Sequence, residues 1–569
     1  MTGLGQRLHG LRWRLRAMRR LWHADAEPEM TFLPPSPVAR IPVGSLDGPG
    51  QGTTVRRGAL AISGWALFPA EPTVRVEILL GDELLGRARL GFLRPDVAES
   101  FEFPSAYVSG FQLTADLTAW RGEDGPATLR TIALSAAGER FELEPIRLTV
   151  AASKQAEPLP LPPPAPRTPR PQGDGERRLL VCTHQLDLGG AQLYLLDLLR
   201  ELTKDESLAI TVVSAIDGRT RKDIEDLGIP VHITSLVPWD DLSSHIGRVE
   251  ELAIWAEGRE FDVALVNTST LLAFPWAEAT ALLGVPTVWT IHESFPPPIL
   301  WSDLSPEIRQ RADAALANAA VALFEAEATQ RLYEPPLQAS QSLTIPYGID
   351  LSPIDAARTG FDRTAARREA GIPDDAEVLL CVGTIEPRKA QIALAQAFEL
   401  IAGRNPDARL VFVGGSKKPD SLALAERIEA SRWRERMELV PITPDVESWY
   451  GLSDFLVCAS DVESLPRTVL EAMAWETPVL ATDVFGLPEL IDDGESGWLC
   501  EAGDITLLAE GLNRVLSTTV EEREKVRRTA RSLVEERHCL ERYGAQVSKL
   551  LQQAASGDVA APDKHVAAP

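Results

Sequence analysis

Residues 177–190 read "RRLLVCTHQLDLGG". An apolar run of this length, closed by a polar turn with a Gly-Gly pair, reads as a buried strand feeding a helix. The periodicity predicts that helix over Ala191–Leu202. Apolar runs "LAITVVSA", "DVALVN" and "PTVWTI" follow, with helical segments between them. The same grammar restarts at "EVLLCVG" and continues through "ARLVFVGG", "RMELVPI", "DFLVCAS" and "PVLATD". Strands apolar on both faces that alternate with helices build parallel sheets covered on both sides. Two doubly wound, Rossmann-like α/β units follow, over 178–350 and 351–553. Ligands of such sheets bind beyond the carboxyl ends of the strands, so two facing units would form a cleft lined by those loops.

Upstream the period changes. Val74, Val76, Ile78 and Leu80 alternate with polar residues, and Gly81-Asp82 supplies a two-residue turn into Leu84-Leu85. Further strand-like runs at Ala59–Ala66, Gly110–Leu117, Thr128–Ser135 and Arg140–Leu148, with no helical pattern, predict a small all-β sandwich within 31–150. Trp65 and Trp120 have two readings there, sugar stacking or sandwich core, of which core is the commoner. Residues 151–177 hold eight prolines in "EPLPLPPPAPRTPRPQ". That composition favours extended polyproline II and a semi-rigid spacer, so 178–553 is expected to fold without it. Residues 554–569 read as a frayed tail.

The 569-residue chain has 82 acidic and 57 basic side chains, a formal charge of −25. Such a surface repels phosphate backbones, which argues against nucleic acid as a partner. No apolar run approaches the ~18–20 residues of a membrane span. Five scattered cysteines without a C-x-x-C pair exclude a disulfide framework and a cysteine zinc site, and fit a cytoplasmic setting. The front of the chain reads as a basic amphipathic helix over 1–30, and its first 24 residues, with no acid before Asp25, contradict the global charge. Arg7, Arg12, Arg14, Arg16, Arg19 and Arg20 accompany Leu4, Leu8, Leu11, Leu15, Met18 and Trp22 on one helical face. Such a basic amphipathic helix suits either peripheral contact of residues 1–24 with an anionic inner membrane face or docking on the acidic remainder of the chain.

The densest constellation is residues 459–491, "ASDVESLPRTVLEAMAWETPVLATDVFGLPELI". A strand ends near Ser460, a loop carries Glu463, and a helix opens near Pro466 with Ser464 as a suitable N-cap. Backbone amides at that terminus suit a diphosphate. Glu471 follows eight residues after Glu463, roughly 12 Å along a helix at 1.5 Å per residue. Arg388 and Lys389, beyond another strand end, suit phosphate charge, with a solvated pair as the alternative. Lysine is scarce, nine against 48 arginines, which makes Lys389 harder to dismiss as surface decoration. Gly189 and Gly190 stand where a backbone can approach a phosphate or sugar. His292, in "WTIHES", ends a strand, and a structural histidine is the commoner outcome.

The 459–491 run resembles the Glu-x7-Glu signature of retaining glycosyltransferases of family 4, which have the GT-B fold. "VGTIEPRKA", "VFVGG" and "IPYGID" fit upstream, so the resemblance covers about 178–553. It implies transfer of a sugar from a nucleoside diphosphate sugar to a saccharide, lipid-linked or protein acceptor, in bacterial cell-surface polysaccharide or glycoconjugate synthesis. It implies Glu471 at the ribose, Glu463 on the donor sugar, Ser464 and Leu465 offering amides, Arg388 and Lys389 on the diphosphate, and His292 near the reacting sugar. No Asp-x-Asp triplet occurs, so no metal or other cofactor is expected. Three residues depart from the family pattern: Thr384 replaces a frequent arginine, Pro466 a frequent glycine and Glu476 a usual glycine. An inactive GT-B scaffold or sugar-binding protein, and a sugar-nucleotide epimerase, remain as alternatives.

Overall fold

The computed structural model describes residues 41–558 except 102–104, 153–176, 235, 239–240, 335–336 and 338–341. The N-terminal helix reading and the proline spacer lie outside the described residues.

The first parallel sheet has seven strands in the order Val231–Ile233, Leu208–Ile216, Arg177–Gln185, Val263–Asn267, Thr287–Ile291, Val321–Phe324 and Ser342–Thr344. The second has six, Met437–Pro441, Ala408–Gly415, Glu377–Val382, Phe455–Cys458, Val479–Thr482 and Trp498–Cys500, also parallel throughout. Their central strands are buried on both faces, which is why they read as continuous apolar runs. In each sheet the strand order reverses beside the unit's first strand. The crevices therefore open after Gln185 and Asn267 in one unit, and after Val382 and Cys458 in the other. The last helix, Leu540–Ser556, leaves the second unit and packs on helix Gly190–Leu202 of the first. It runs three residues into the stretch read as a tail, and Ala554 is buried in the core.

The all-β region packs two sheets around Val55, Ile62, Val76, Ile78, Phe111 and Leu129. Leu80 pairs with Glu83 across the Gly81-Asp82 turn, where Gly81 has φ of +64°. Two details differ from the sequence reading. Arg140–Leu148 divides into strands Arg140–Glu142 and Ile146–Ala151, and "RPDV" opens a short helix, Pro95–Ser100, that proline at its first position favours. Trp120 is buried in the sandwich core, while Trp65 tilts against Phe101.

The sandwich is not a separate body. Val74 lies in one buried cluster with Leu379, Leu394, Phe412 and Leu508 of the second unit, and Leu90 packs against both cores. Arg75 pairs with the buried Asp504 at 3.0 Å, and Arg87 with Glu501 at 2.6 Å. The fragment 178–553 is thus expected to lose stability rather than stand alone. One buried and one half-buried aliphatic contact are worth ~2–3 kcal/mol together, so it should melt several degrees below the whole chain and bind more hydrophobic dye. Equal melting temperatures would show the interface to be incidental.

Candidate functional site

In the second unit, strand Glu377–Val382 ends at Gly383, and a short 3-10 turn, Pro387–Lys389, leads into helix Gln391–Ile401. Gly383 has φ of +138°, and a Cβ there would lie 2.8 Å from Lys389 Nζ. Glycine therefore lets the lysine fold back across the strand end. Lys389 lines a small pocket with Cys381, Cys458, Ser460, Glu463 and Thr468, and it has no ion-pair partner among the described residues. Its neighbour Arg388 is already matched: Nε lies 3.2 Å from Glu386 Oε2, and Nη1 lies 3.3 Å from Glu463 Oε2. Burial works against the Arg388 charge, and the two carboxylates outweigh it and hold its pKa up. Thr384 donates to Glu386 at 2.7 Å. The adjacent cations thus differ: Arg388 is held in two ion pairs, while Lys389 makes none among the described residues and acts on Glu386 only at longer range.

Glu463 also accepts from the Ser460 hydroxyl at 3.2 Å. Ser464 is not the helix cap. Helix Arg467–Ala474 starts three residues later, with Pro466 at its N-cap, because Ser464 Oγ is engaged 3.1 Å from Thr329 Oγ1 of the first unit. Leu465 is buried in the core. The N–H groups of Ser464 and Leu465, just after Glu463, find no acceptor among the described residues. Glu471 accepts from Arg467 Nε at 2.6 Å and from the Tyr450 hydroxyl at 2.8 Å. Arg467 also reaches Asp197 on helix Gly190–Leu202 and the Tyr347 hydroxyl, so Glu471 is tied to the first unit. Glu476 has φ of +57°, the left-handed geometry that a glycine would take without strain, and its carboxylate pairs with Arg358.

In the first unit, Gly189 is extended and caps helix Gly190–Leu202. A Cβ on Gly189 would meet Gln192 Oε1 at 2.5 Å, whereas open space lies over Gly190. His292 does not present a free nitrogen. Nδ1 lies 3.0 Å from Glu325 Oε1 and Nε2 lies 2.8 Å from Asn267 Oδ1. Burial alone would lower its pKa; the charge of Glu325, its hydrogen bond and Glu293 together raise it. Both nitrogens face oxygen acceptors, as in an imidazolium. His184, at the end of the first strand, bonds Gln192 and Thr268, and burial lowers its pKa. Thr268 is buried with φ of +80°, an uncommon strain for a β-branched residue, located where the strand order reverses. Glu293 Oε2 accepts from Ser269 N, Ser269 Oγ and His292 N.

The sequence reading put Gly189, Gly190, Arg388, Lys389, Ser464, Leu465 and Glu471 at the donor and Glu463 and His292 at the reacting sugar; in the structure Arg388, Lys389, Glu463, Ser464, Leu465 and Glu471 belong to the second unit, and Gly189, Gly190 and His292 to the first. It missed Asp197, Arg467, Tyr347, Glu325, Asn267 and His184. A polar residue ending an apolar strand, as in "DVALVN" and "LLVCTH", was the available signal for two of them. Among the described residues no group of three or more His, Cys, Asp or Glu is arranged to hold a metal. No described helix is long and apolar enough to cross a membrane.

Residues 362–533 match the profile of glycosyl transferases group 1, and residues 188–353 that of glycosyltransferase family 4. The chain belongs to the family 4 glycosyltransferases. The sandwich lies outside both matches. A D-inositol 3-phosphate glycosyltransferase 2 of Catenulispora acidiphila is 34% identical over 210 residues, 33% of this chain and 48% of that protein. A D-inositol 3-phosphate glycosyltransferase of Pseudarthrobacter chlorophenolicus is 26% identical over 342 residues, 55% of this chain and 79% of that protein. The chain thus spans about half of the first relative and most of the second. The crystal structure of Anabaena HepE with UDP and glucose covers 66% of this glycosyltransferase and all of that chain, with 20% identity and a TM-score of 0.56. That likeness is one of fold, GT-B.

The His292 arrangement has a testable sign. A raised folded-state pKa stabilises the fold fully below the unfolded value near 6.5 and is lost as pH rises through the folded value. The melting-temperature gap between wild type and His292→Asn should be widest near about pH 6 and shrink toward about pH 9. A gap that grows with pH would mean the ring is buried neutral.

Proposed function

We propose that this chain transfers a sugar, with retention of configuration, from a nucleoside diphosphate sugar to a saccharide or glycolipid acceptor, without a metal ion. The observation that carries this reading is Lys389, which makes no ion pair among the described residues, set at a strand end in one pocket with Glu463, next to the Ser464 and Leu465 amides that find no acceptor. A diphosphate supplies the missing charge. The UDP and glucose held by the Anabaena protein of like fold support uridine as the first nucleotide to try. Arg388, matched by Glu386 and Glu463, orders this loop pair and adds positive potential rather than acting as a second free clamp. Glu471, in the helix beyond, faces the ribose, and Glu463 the transferred sugar. Departure of the diphosphate is then favoured by fixed donors that need no reorganisation.

Acceptor binding falls to the first unit, at the crevice of His184, Thr268 and Glu293. His292 acts there as a fixed positive charge near the reacting sugar, with no free nitrogen to take a proton. The leaving phosphate is then the group that accepts the acceptor proton. The reading extends to cell-surface polysaccharide or glycoconjugate synthesis at the cytoplasmic face of a membrane, with residues 1–24 as the peripheral contact.

Lys389→Ala should reduce transfer by two to three orders of magnitude, the ~3–4 kcal/mol of a preorganised charge contact. Unchanged turnover in a folded variant would remove Lys389 from the site. The two glutamates should fail differently. Glu471→Gln should raise the donor KM and weaken UDP binding, because the ribose does not change during reaction. Glu463→Gln should lower kcat more than it weakens UDP binding, since UDP lacks the sugar. Calorimetry with UDP, paired with kinetics on UDP-sugars, separates them. The reverse pattern would exchange their roles.

A further inference from the structure

The carboxylate of Glu471 is set from both units. The Tyr450 hydroxyl, on helix Glu447–Leu452 of the second unit, donates to Oε2 at 2.8 Å, and Arg467 Nε donates to Oε1 at 2.6 Å. The far end of that guanidinium is held by the first unit. Arg467 Nη1 donates to Asp197 Oδ2 and, at 2.6 Å, to the Tyr347 hydroxyl, which itself donates to Asp197 Oδ2 at 3.0 Å. Both partners are fixed in turn. Asp197 Oδ1 accepts from Arg200 on its own helix at 3.0 Å. Tyr347 packs on Tyr194 and Tyr543, and its carbonyl accepts from His538 Nδ1 at 2.7 Å. Burial is graded along this relay. Asp197, Tyr347 and Tyr450 are 5%, 2% and 1% exposed, whereas the Arg467 and Glu471 side chains keep 24% and 21%. The accessible end is therefore the Arg467–Glu471 pair. A carboxylate has about two acceptor sites on each oxygen. Arg467 and Tyr450 fill one on each, which leaves one on each for the two hydroxyls of a ribose.

We infer that Asp197 is a positioning residue for ribose recognition: it holds Arg467, and through it the Glu471 carboxylate, in the orientation that receives the ribose hydroxyls. This rests on the assignment of Glu471 to the ribose made above. Freed from Asp197, Arg467 can turn its fork onto Glu471 and pair with both oxygens, taking the acceptor sites the ribose needs. Ribose binding in the second unit is in this way made to depend on a carboxylate of the first. The units have to be in register across the cleft before the nucleotide is fully held.

The test uses the whole chain and compares the binding of UDP and 2′-deoxy-UDP by calorimetry. Wild type should prefer UDP by about tenfold or more, the worth of a hydrogen bond to a charged group. Asp197→Asn, which keeps the side-chain shape, should weaken UDP by about fivefold to tenfold and 2′-deoxy-UDP hardly at all. Tyr347→Phe, which removes one hydroxyl from the relay, should lower the preference in the same direction. Glu489→Gln loosens another tie between the units, at the Glu327 and Ala328 amides, and should leave the preference intact. Combined with Glu471→Gln, Asp197→Asn should lower the preference no further than Glu471→Gln does alone. An equal loss for both nucleotides, or a preference that survives in Asp197→Asn, would overturn the proposal and leave the ribose reading standing. A wild-type chain that binds the two nucleotides alike would strike the ribose reading of Glu471, and the proposal with it. If UDP does not bind, ADP and GDP are compared with their 2′-deoxy forms in the same way, and no preference in any pair has that same consequence.

Discussion

One guanidinium sets the spacing between the two halves of this enzyme. Arg467, at the first turn of helix Arg467–Ala474, bonds Glu471 beside it, Asp197 across the cleft and the Tyr347 hydroxyl in the connection between the units. Asp197 is nearly buried, so its charge needs that partner. Two further ties lie alongside. Glu489 of "GLPEL" accepts the amides of Glu327 and Ala328 at the start of a first-unit helix, and Ser464 meets Thr329. Gly486 is needed there, because a Cβ would lie 2.2 Å from the Ser464 carbonyl oxygen. The units are held closed by the same segment that carries Glu463 and Glu471. Donor recognition and closure are therefore physically one problem, and a change in either glutamate's surroundings is felt at the interface.

Charge balance explains the rest of the site. In a chain with 25 more acidic than basic side chains, a site for a diphosphate has to be built by local exception. Glu386 and Glu463 absorb Arg388, and Asp197 and Glu471 absorb Arg467, so both arginines serve as fixed structure. Lys389 makes no ion pair among the described residues and shares a pocket with Glu463. A carboxylate pair holding an arginine rigid beside an unpaired lysine gives a strong field that needs no rearrangement when the ligand arrives.

The alternation of apolar runs and helices made both parallel sheets legible, because local period and burial agree there. The 459–491 run made the crevice legible, since its residues lie within one strand, loop and helix. What escaped was long-range. Arg75 and Arg87 look like solvated positions on alternating strands, and their partners lie more than 400 residues away. The proline spacer suggested independence, and composition carries no information on docking. Ser464 had the chemistry of a cap, but Thr329 in the other unit claims its hydroxyl. His292 was placed at the right strand end, yet only the positions of Asn267 and Glu325 reveal that neither nitrogen is free.

The central claim is that Lys389, with the open amides beside Glu463, receives a diphosphate in the cleft between the two units. A crystal structure of the whole chain with UDP bound tests this most directly. The expected result is a phosphate oxygen within about 3 Å of Lys389 Nζ, with the ribose hydroxyls on Glu471. Nucleotide bound elsewhere, or in the cleft with Lys389 turned away from the phosphates, would contradict it.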